Sequence, residues 1–373
     1  MSHIIGSDVS SLRHVNRAGA LQRLRRAPDD FQTAADVAEP LGLSRPTAAR
    51  LLTELAESGW AELQLAHTGS AGRPARTFRL NRHHALVAAV DVGANNVLVA
   101  IADLSGEVLQ RSYAPHGFPD SATEMSDLVA GSLRQLLKEL RGPDGEWEQL
   151  LAVSVSVPAT VDRQGVIHPQ SDSPSWATQE LADRLRRAIS GPTVRFDSAP
   201  TAALRAELEH GELRRYEDGV FVLAGDITGV APLVNQVPYL GAGGAAGAIG
   251  GLHGVDWRHA TDAVLQRTGA HNLDELVSWG LQERPDAIAA LRSYTQDLTS
   301  GVEVLVRSFD PAVLVLGGCL APAGHLVLEP LGEALELKLG APPPRMVCAR
   351  VDHVDAPVLG GLAAALAAVE WGA

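Results

Sequence analysis

The stretch LGLSRPTAARLLTEL, residues 41–55, predicts the fold of the first segment of the chain. Its apolar residues recur at positions i, i+3, i+4 and i+7, one stripe of an α-helix; they are Ala48, Leu51, Leu52 and Leu55. Ser44 is a favourable N-cap, Pro46 is tolerated in a first helical turn, and Gly59 favours a helix end. We therefore expect a helix over residues 45–58 that packs on one face and keeps a polar face free.

The neighbouring segments predict two further helices and a hairpin. Residues 33–40 predict a helix, followed by a turn in which Gly42 can adopt a positive φ. Residues 12–26 predict a third helix, and its core candidates are Leu12, Val15, Leu21 and Leu24. The extended runs 61–66 and 75–80, around a turn-rich segment, predict the hairpin wing of a winged helix-turn-helix. Any amphipathic helix pair gives a similar helical pattern, but the wing favours the winged fold.

Charge is distributed unevenly along the chain. Residues 1–82 contain 11 Arg and 8 Asp or Glu, whereas the remaining residues contain 20 basic and 36 acidic side chains, for a formal net charge of −13. Only the first segment has a positive balance and can tolerate a polyanion. The sequence pI near 5.4 argues against nonspecific coating of nucleic acid but allows a regulator with one basic head.

Length and composition limit the class of protein. A chain of 373 residues with 46% hydrophobic residues should form two or three globular domains. We expect no membrane span and no secretion signal, hence a soluble cytoplasmic protein. Cys319 and Cys348 are far apart in sequence and are expected to be free thiols.

Two α/β series follow the basic segment. The first has three strands from residue 86, a helix over 121–140, the buried strand 150–157, and two helices flanking strand 193–196. The second opens at Gly219 and ends with a helix near 360–370. Two α/β lobes of similar order are what a duplicated actin-like nucleotide-binding fold would show, with a cleft between them.

Several segments resemble the ROK proteins (repressor, open reading frame, kinase), specifically their transcriptional repressors. They are NRAGALQRL (16–24), GLSRPTAARLLTELAESGW (42–60), GRPARTFRLN (72–81), AAVDVGANNVLVAIADLSGEVL (88–109), VPATVDRQGVI (157–167), SAPTAALRAE (198–207), GGAAGAIGG (243–251) and DPAVLVLGG (310–318). The resemblance implies an α/β chain with an N-terminal winged helix-turn-helix and a two-lobed actin-like ATPase (ROK) fold. The implied divisions are 1–82 for the head and linker, 83–205 with 358–373 for lobe 1, and 206–357 for lobe 2.

The chain departs from the kinases of this family at the phosphate-binding turn and at the base. The family turn Asp-(Ile/Leu)-Gly-Gly-Thr keeps Asp91 and Gly93 but has Ala94 and Asn95 at its last two positions. Ser198 stands at the position of the catalytic aspartate, and a hydroxyl cannot act as a general base near pH 7 without help. A slip of one residue would place Asp197 there instead.

The sugar and zinc ligands of the family are also replaced. Ala248 occupies the position of the glutamate that orders sugar hydroxyls in the family, and Gly251 occupies the position of a zinc-binding histidine. No cysteine occurs between residues 243 and 318, and His253 and His259 alone do not make a structural zinc site. We therefore expect no metal, no cofactor and no catalytic activity.

Three hypotheses follow. The favoured one is a transcriptional regulator, foremost a repressor, that binds a double-stranded DNA operator as a homodimer or dimer of dimers, with a catalytically dead body as effector sensor or dimer scaffold. The second is a sugar kinase fused to a winged helix, which would need an intact base, glycine turns and zinc. The third is a regulator whose body has lost sugar recognition and answers to another ligand or a protein partner.

Two sets of site residues are predicted. For DNA contact they are Ser44, Arg45, Thr47, Arg50, Thr53, Arg73 and Arg76. Of these, Arg45, Thr47 and Arg50 are expected in the major groove and Arg73 of the GRP core in a minor groove. For a small effector (a sugar, a sugar derivative or another metabolite) they are Asp172, Asp197 and Ser198. Simple glucose binding is expected to be weak or absent, since several hydroxyls would lack partners.

Overall fold

The computed structural model describes residues 9–66, 75–93, 96–115, 119–142, 147–171, 173–225 and 227–371. The first part is a head of three helices and three strands: α1 (Val9–Arg25), β1 (Gln32–Thr33), α2 (Ala34–Ala38), α3 (Arg45–Glu57), β2 (Ala61–Ala66) and β3 (Ala75–Leu80). Strand β3 lies between β1 and β2, antiparallel to both. The predicted helix-turn-helix with a hairpin wing is therefore present, and Gly42 has the expected positive φ of 63°.

Lobe 1 follows with a five-stranded sheet and two helices on one of its faces. Its elements are β4 (Leu86–Val92), β5 (Asn96–Asp103), β6 (Val108–Pro115), α4 (Ala122–Arg141), β7 (Leu150–Val157), β8 (Thr160–Val161), β9 (Ile167–His168), α5 (Gln179–Ala188) and β10 (Thr193–Ser198). The strand order is β10-β7-β4-β5-β6, and β8 pairs with β9. Helix α6 (Ala199–His210) then leads out of β10.

Lobe 2 repeats the plan with a second five-stranded sheet. Its elements are β11 (Gly219–Ala224), β12 (Gly229–Val234), β13 (Val237–Pro238), α7 (Trp257–Thr268), α8 (Leu273–Leu281), α9 (Pro285–Phe309), β14 (Val313–Gly318), α10 (Gly324–Leu339) and β15 (Arg345–Cys348). The strand order is β13-β12-β11-β14-β15. Short 3-10 turns occur at Trp147–Gln149, Glu212–Arg215 and Ala321–Ala323.

The final helix, α11 (Ala356–Ala368), returns to lobe 1 and packs across β4, β7 and α6. A Cβ atom on Gly360 would lie 1.6 Å from the carbonyl oxygen of Ala202 in α6, so glycine is needed for this close helix contact. Gly361 sits over Ala89 of β4 in the same way. Helix α11 begins at Ala356, four residues before the predicted start at Gly360.

The head and lobe 1 share one hydrophobic core. Trp60, which follows α3, packs against His84 with ring centroids 4.6 Å apart and against Trp371 with centroids 6.2 Å apart. Apolar residues of α11 and the lobe 1 sheet continue the same buried cluster. The segment after α11 therefore fastens the head to the body.

An ionic cluster lies at the same junction. Arg82 forms ion pairs with Asp29 of the head and with Glu107 of lobe 1, the latter at 2.6 Å. The Arg82 Nε atom is 3.9 Å from the carboxylate of the fully buried Asp103. One guanidinium thus contacts carboxylates on both sides of the junction.

For the head, one expectation was wrong and one short strand was not expected. Leu12 and Val15 are 52% and 61% exposed, because only the second half of α1 packs on the head, through residues such as Leu21 and Leu24. Strand β1 was not predicted, since two residues are too short to show a strand period. No helix of the described residues is long and apolar enough to cross a bilayer.

Candidate DNA interface and effector cavity

Helix α3 is capped by the residue that the sequence indicated. The Ser44 hydroxyl accepts a hydrogen bond from the backbone N–H of Thr47 at 3.3 Å, and the two hydroxyls are 2.7 Å apart. Ala48, Leu51, Leu52 and Leu55 are buried, as predicted. The hydroxyls of Ser44 and Thr47 therefore hold the helix start, while the neighbouring Arg45 is exposed.

The exposed face of α3 carries a second arginine beside a neutralised carboxylate. The Arg50 side chain is 79% exposed, with its Nε atom 3.9 Å from Glu54. Glu54 forms a shorter ion pair of 2.9 Å with Arg13 of α1. Arg13 thus offsets the negative charge that Glu54 would present to phosphate, a role that the sequence did not suggest.

The wing contributes a further arginine next to α3. Thr53 donates a hydrogen bond to the carbonyl of Ala49 at 2.8 Å, and Arg76 of β3 donates to Thr53 at 3.4 Å. Thr53 therefore positions an exposed cation beside the helix. Arg73 lies outside the described residues.

A cavity of about 380 Å³ opens between the lobes, where β8, the start of α6 and the glycine-rich segment 244–251 meet. Its polar groups are mostly hydroxyls and one amide, on Thr160, Gln170, Ser171, Ser173, Ser198, Thr201 and Thr228. Apolar side chains, among them Ile227 and Trp257, line much of the rest. No described lining residue is charged, so the cavity suits a neutral ligand with an apolar face.

Ser198 lies at this cavity as the N-cap of α6. Its hydroxyl accepts a hydrogen bond from the Thr201 N–H at 3.3 Å and donates to the Thr201 hydroxyl at 2.8 Å. The hydroxyl is therefore engaged in capping, and no described residue is a base in contact with it. Ala248 and Gly251 also line the cavity and supply no ligand side chain for a sugar.

Asp197 faces a different, smaller cavity, and the structure thus separates it from Ser198. The buried Asp197 carboxylate accepts a hydrogen bond from the Arg205 Nε atom at 3.0 Å. Burial raises the pKa of Asp197, although Arg205 acts in the opposite direction. Asp172, the third expected effector residue, lies outside the described residues.

Asp91, which stands in the turn that resembles the phosphate-binding turn of ROK kinases, is also engaged. Ser156 donates a hydrogen bond to Asp91 at 2.6 Å, and burial raises the pKa of Asp91 to about 6 despite this bond. Asp91, Ser156 and Asp197 lie at the same register on three adjacent strands. Ala94 and Asn95 of the turn lie outside the described residues.

The residues of the glycine-rich segment do not fit a structural zinc ion. His253 and His259 are both exposed, and the described residues contain no group of three His, Cys, Asp or Glu side chains that could hold a metal. A structural zinc site needs four N or S ligands. The family's zinc chemistry therefore has no ligand set in this part of the chain.

Two family models match parts of the chain. Residues 87–257 match the ROK family, and residues 18–64 match the IclR helix-turn-helix domain. The chain is 19% identical over 335 residues to the xylose repressor of Caldicellulosiruptor bescii, and the match covers 80% of this chain and 82% of that protein.

Solved structures confirm the predicted fold class. A ROK family transcriptional regulator, a homolog of the E. coli MLC protein, superposes with a TM-score of 0.72 at 15% identity over 96% of this chain and 98% of its own. A ROK family glucokinase from Streptomyces griseus, solved with glucose and AMPPNP, gives a TM-score of 0.63 at 19% identity over 75% of this chain and 99% of its own. The winged head and the two-lobed body therefore form a known arrangement.

Proposed function

Since the chain carries an IclR helix-turn-helix domain in front of a ROK family domain, we propose that it is a DNA-binding transcriptional repressor whose body does not catalyse phosphoryl transfer. The observation that carries the proposal is the exposed side of α3, which carries Arg45 and Arg50 opposite a buried apolar stripe. Arg76 of β3 contacts Thr53 of the same helix. The named relative, a xylose repressor, supports the same function. We retain 1–82, 83–205 with 358–373, and 206–357 as the proposed domain division.

The recognition helix contacts DNA through exposed cations, and its hydroxyls hold the helix in shape. Arg45 at the first turn and Arg50 one turn later both reach the major groove. Arg76 contacts an adjacent phosphate, and Arg73 enters the minor groove. The start of the helix and the wing are held in register by the hydroxyls of Ser44, Thr47 and Thr53.

Measurement of DNA affinity tests this interface. Fluorescence anisotropy at fixed salt, with DNA fragments from the region upstream of the gene that encodes this chain, should give saturable binding. Arg50→Ala should weaken binding by about 1–3 kcal/mol and relax preference at one base position. Arg187→Ala, at an exposed arginine of α5, serves as the control and should bind as the native chain does. Equal affinity of native and Arg50→Ala protein for every fragment would contradict the proposed contact.

The chain binds its operator as a homodimer or a dimer of dimers. A single head presents one recognition helix and a small positive balance, and pairing two heads doubles both. Light scattering should give the mass of a dimer or tetramer, and the footprint should contain two half-sites about one helical turn, or a multiple of it, apart. A monomer that protects one half-site would contradict this part of the proposal.

The geometry at Ser198 argues against the alternative of a sugar kinase. The residue at the position of the base is a capping hydroxyl, and Asp197, which a one-residue slip would substitute, is paired with Arg205 in another cavity. Two results would support the kinase instead. One is ATP-dependent phosphorylation of a hexose that is lost in the Asp197→Ala variant. The other is one zinc ion per chain by metal analysis.

The body responds to a small neutral effector in the cavity of about 380 Å³. Its hydroxyls, including that of Thr201, are placed to hydrogen-bond a polyol or sugar derivative, and its apolar wall favours a ligand with a hydrophobic face. Thermal unfolding is measured with xylose, glucose and less polar glycosides. The glycosides should raise the melting temperature more than xylose or glucose does. Thr201→Val should remove that effect, and stabilisation by charged sugar acids alone would contradict it.

A further inference from the structure

A second cavity of about 190 Å³ lies at the edge of the lobe 1 sheet, away from the effector cavity described above. Its walls are strand β10, the turn 162–165 between β8 and β9, and one side of α11 at Ala364 and Ala367. At about 30 Å³ per water molecule, it has room for roughly six waters. The cavity can therefore enclose only a few heavy atoms of a ligand, such as one phosphate or carboxylate group.

The cavity is lined by more cations than anions. Four arginines surround it, and they are Arg163, Arg186, Arg195 and Arg205. Two aspartates, Asp162 and Asp197, are the described acidic residues of its lining. The described walls therefore carry a positive balance in a partly enclosed space, where charges interact more strongly than in bulk water.

Both aspartates are already engaged. Asp197 is paired with Arg205 at 3.0 Å. Asp162 accepts hydrogen bonds from the backbone N–H groups of Gln164 and Val166, each at 2.9 Å, and lies 2.9 Å from the His168 ring. The two carboxylates are thus used within the fold, and among the described residues neither forms an ion pair with Arg163 or Arg195.

Two of the four arginines are available to a ligand. Arg186 donates to the carbonyl of Gly165 at 3.0 Å and lies over the Phe196 ring at 5.0 Å. Arg163 and Arg195, in contrast, are exposed and form no hydrogen bond or ion pair with the described residues. Their side chains can therefore turn towards an anion at low cost.

A buried hydroxyl at the same cavity also lacks a partner. Ser154 of β7 is 1% exposed, and its hydroxyl has no hydrogen-bond partner among the described residues. Leaving a buried polar group without a partner destabilises the folded state, and a ligand that accepts its hydrogen bond removes that cost. Ser154 lies directly across from Arg195 in the parallel pairing of β7 and β10, so a ligand held by that arginine is close to the hydroxyl.

We propose that this cavity binds a compact oxyanion, a phosphate or small carboxylate group, between Arg163, Arg195 and Ser154. Guanidinium groups bind both kinds of oxyanion through paired N–H donors, and Ser154 supplies a further donor. The anion would also touch α11 at Ala364 and Ala367, close to the Trp371 contact with the head. The site thus gives the protein a second ligand input, distinct from the neutral effector and independent of whether the head binds DNA.

Calorimetric titration of the full chain tests the site, at constant ionic strength and with chloride as the reference anion. Three probes separate the possible sources: inorganic phosphate, glucose 6-phosphate and succinate. We expect saturable binding of at least one probe, and the tightest of the three identifies the source. The double variant Arg163→Gln/Arg195→Gln should weaken that binding at least tenfold, and Ser154→Ala should weaken it severalfold.

Arg187→Gln is the matched control, since Arg187 is an exposed arginine on α5 outside the cavity, and it should bind the probe as the native chain does. Circular dichroism checks that each variant is folded, and the exposed positions of Arg163 and Arg195 make loss of fold unexpected. Absence of saturable binding for all three probes would overturn the proposal. Undiminished binding by the folded double variant would overturn it as well.

Discussion

Asp91 links the stability of the chain to pH. Burial raises its pKa from 3.8 to about 6, so the folded state holds the proton more tightly than the unfolded state. The resulting stabilisation is fully present below about pH 4, declines as the pH rises through about 6, and is absent above that. The buried carboxylate is thus a cost of the folded state at neutral pH.

Asp91→Asn should remove this cost, because the amide is neutral at every pH and can still hydrogen-bond Ser156. We expect the variant to be more stable than the native chain at pH 8 by about 1–3 kcal/mol, and nearly equal in stability at about pH 3.5, below the unfolded pKa. Urea denaturation at the two pH values measures the difference. A difference that is the same at both pH values would show that Asp91 does not titrate as described.

The Glu207 side chain binds the backbone of the segment that precedes α11. This fully buried carboxylate accepts hydrogen bonds from the N–H groups of Arg350 and Val351 at 2.8 and 2.7 Å, and from Glu212 at 2.7 Å. Glu207→Gln turns an amide NH₂ towards a donor and should cost about 2–4 kcal/mol of unfolding free energy. Glu333→Gln, at an exposed position of α10, is the control. A cost below 1 kcal/mol in urea denaturation would contradict the tethering role.

At the scale of single elements, the close contact of α11 with α6 requires glycine at position 360. Gly360→Ala places a Cβ against the Ala202 carbonyl and should destabilise the chain by about 1–3 kcal/mol. Gly131→Ala in α4 is the matched control, since no atom lies within 4 Å of the added Cβ, and it should stabilise by about 0.5–1 kcal/mol. Thermal unfolding compares the two, and equal shifts would contradict the close contact.

Elements with local signals could be predicted from the sequence, and elements that depend on distant partners could not. Helix α3 carries its cap, its apolar stripe and its terminating glycine within about sixteen residues, and all three are found in the structure. Strand β1 exists because it pairs with Thr77 and Phe78 of β3, more than forty residues away. Leu12 and Val15 show the correct helical period, but periodicity cannot tell how far along a helix its packing partner extends.

The candidate effector site shows the same limit. Asp197 and Ser198 are neighbours in sequence, yet they line different cavities. Successive residues of a strand point to opposite faces, and this rule, applied to residues 193–198, would have separated them. The arginine-lined cavity brings together residues from β7, β10 and α11, and no local pattern in the sequence indicates it.

At the scale of the whole molecule, the head is fastened to the body by aromatic packing. Trp371→Ala removes a side chain that is 2% exposed and should destabilise the chain by about 3–5 kcal/mol. The loss falls on the shared core, so amide hydrogen exchange should rise at least tenfold in α1–α3 and stay unchanged in lobe 2. Leu337→Ala, at an 87% exposed residue, is the control. A uniform rise over both lobes would contradict a role specific to the junction.

The contact between Trp60 and Trp371 also limits how this architecture can be recombined during evolution. A head transferred to another body would lose the aromatic surface that α11 and the residues after it supply, and its own Trp60 and His84 would become exposed to solvent. Functional chimaeras should therefore inherit the first 85 residues and the last helix together, although these lie at opposite ends of the chain. Among related regulators, we expect substitutions at Trp60 to covary with substitutions at Trp371.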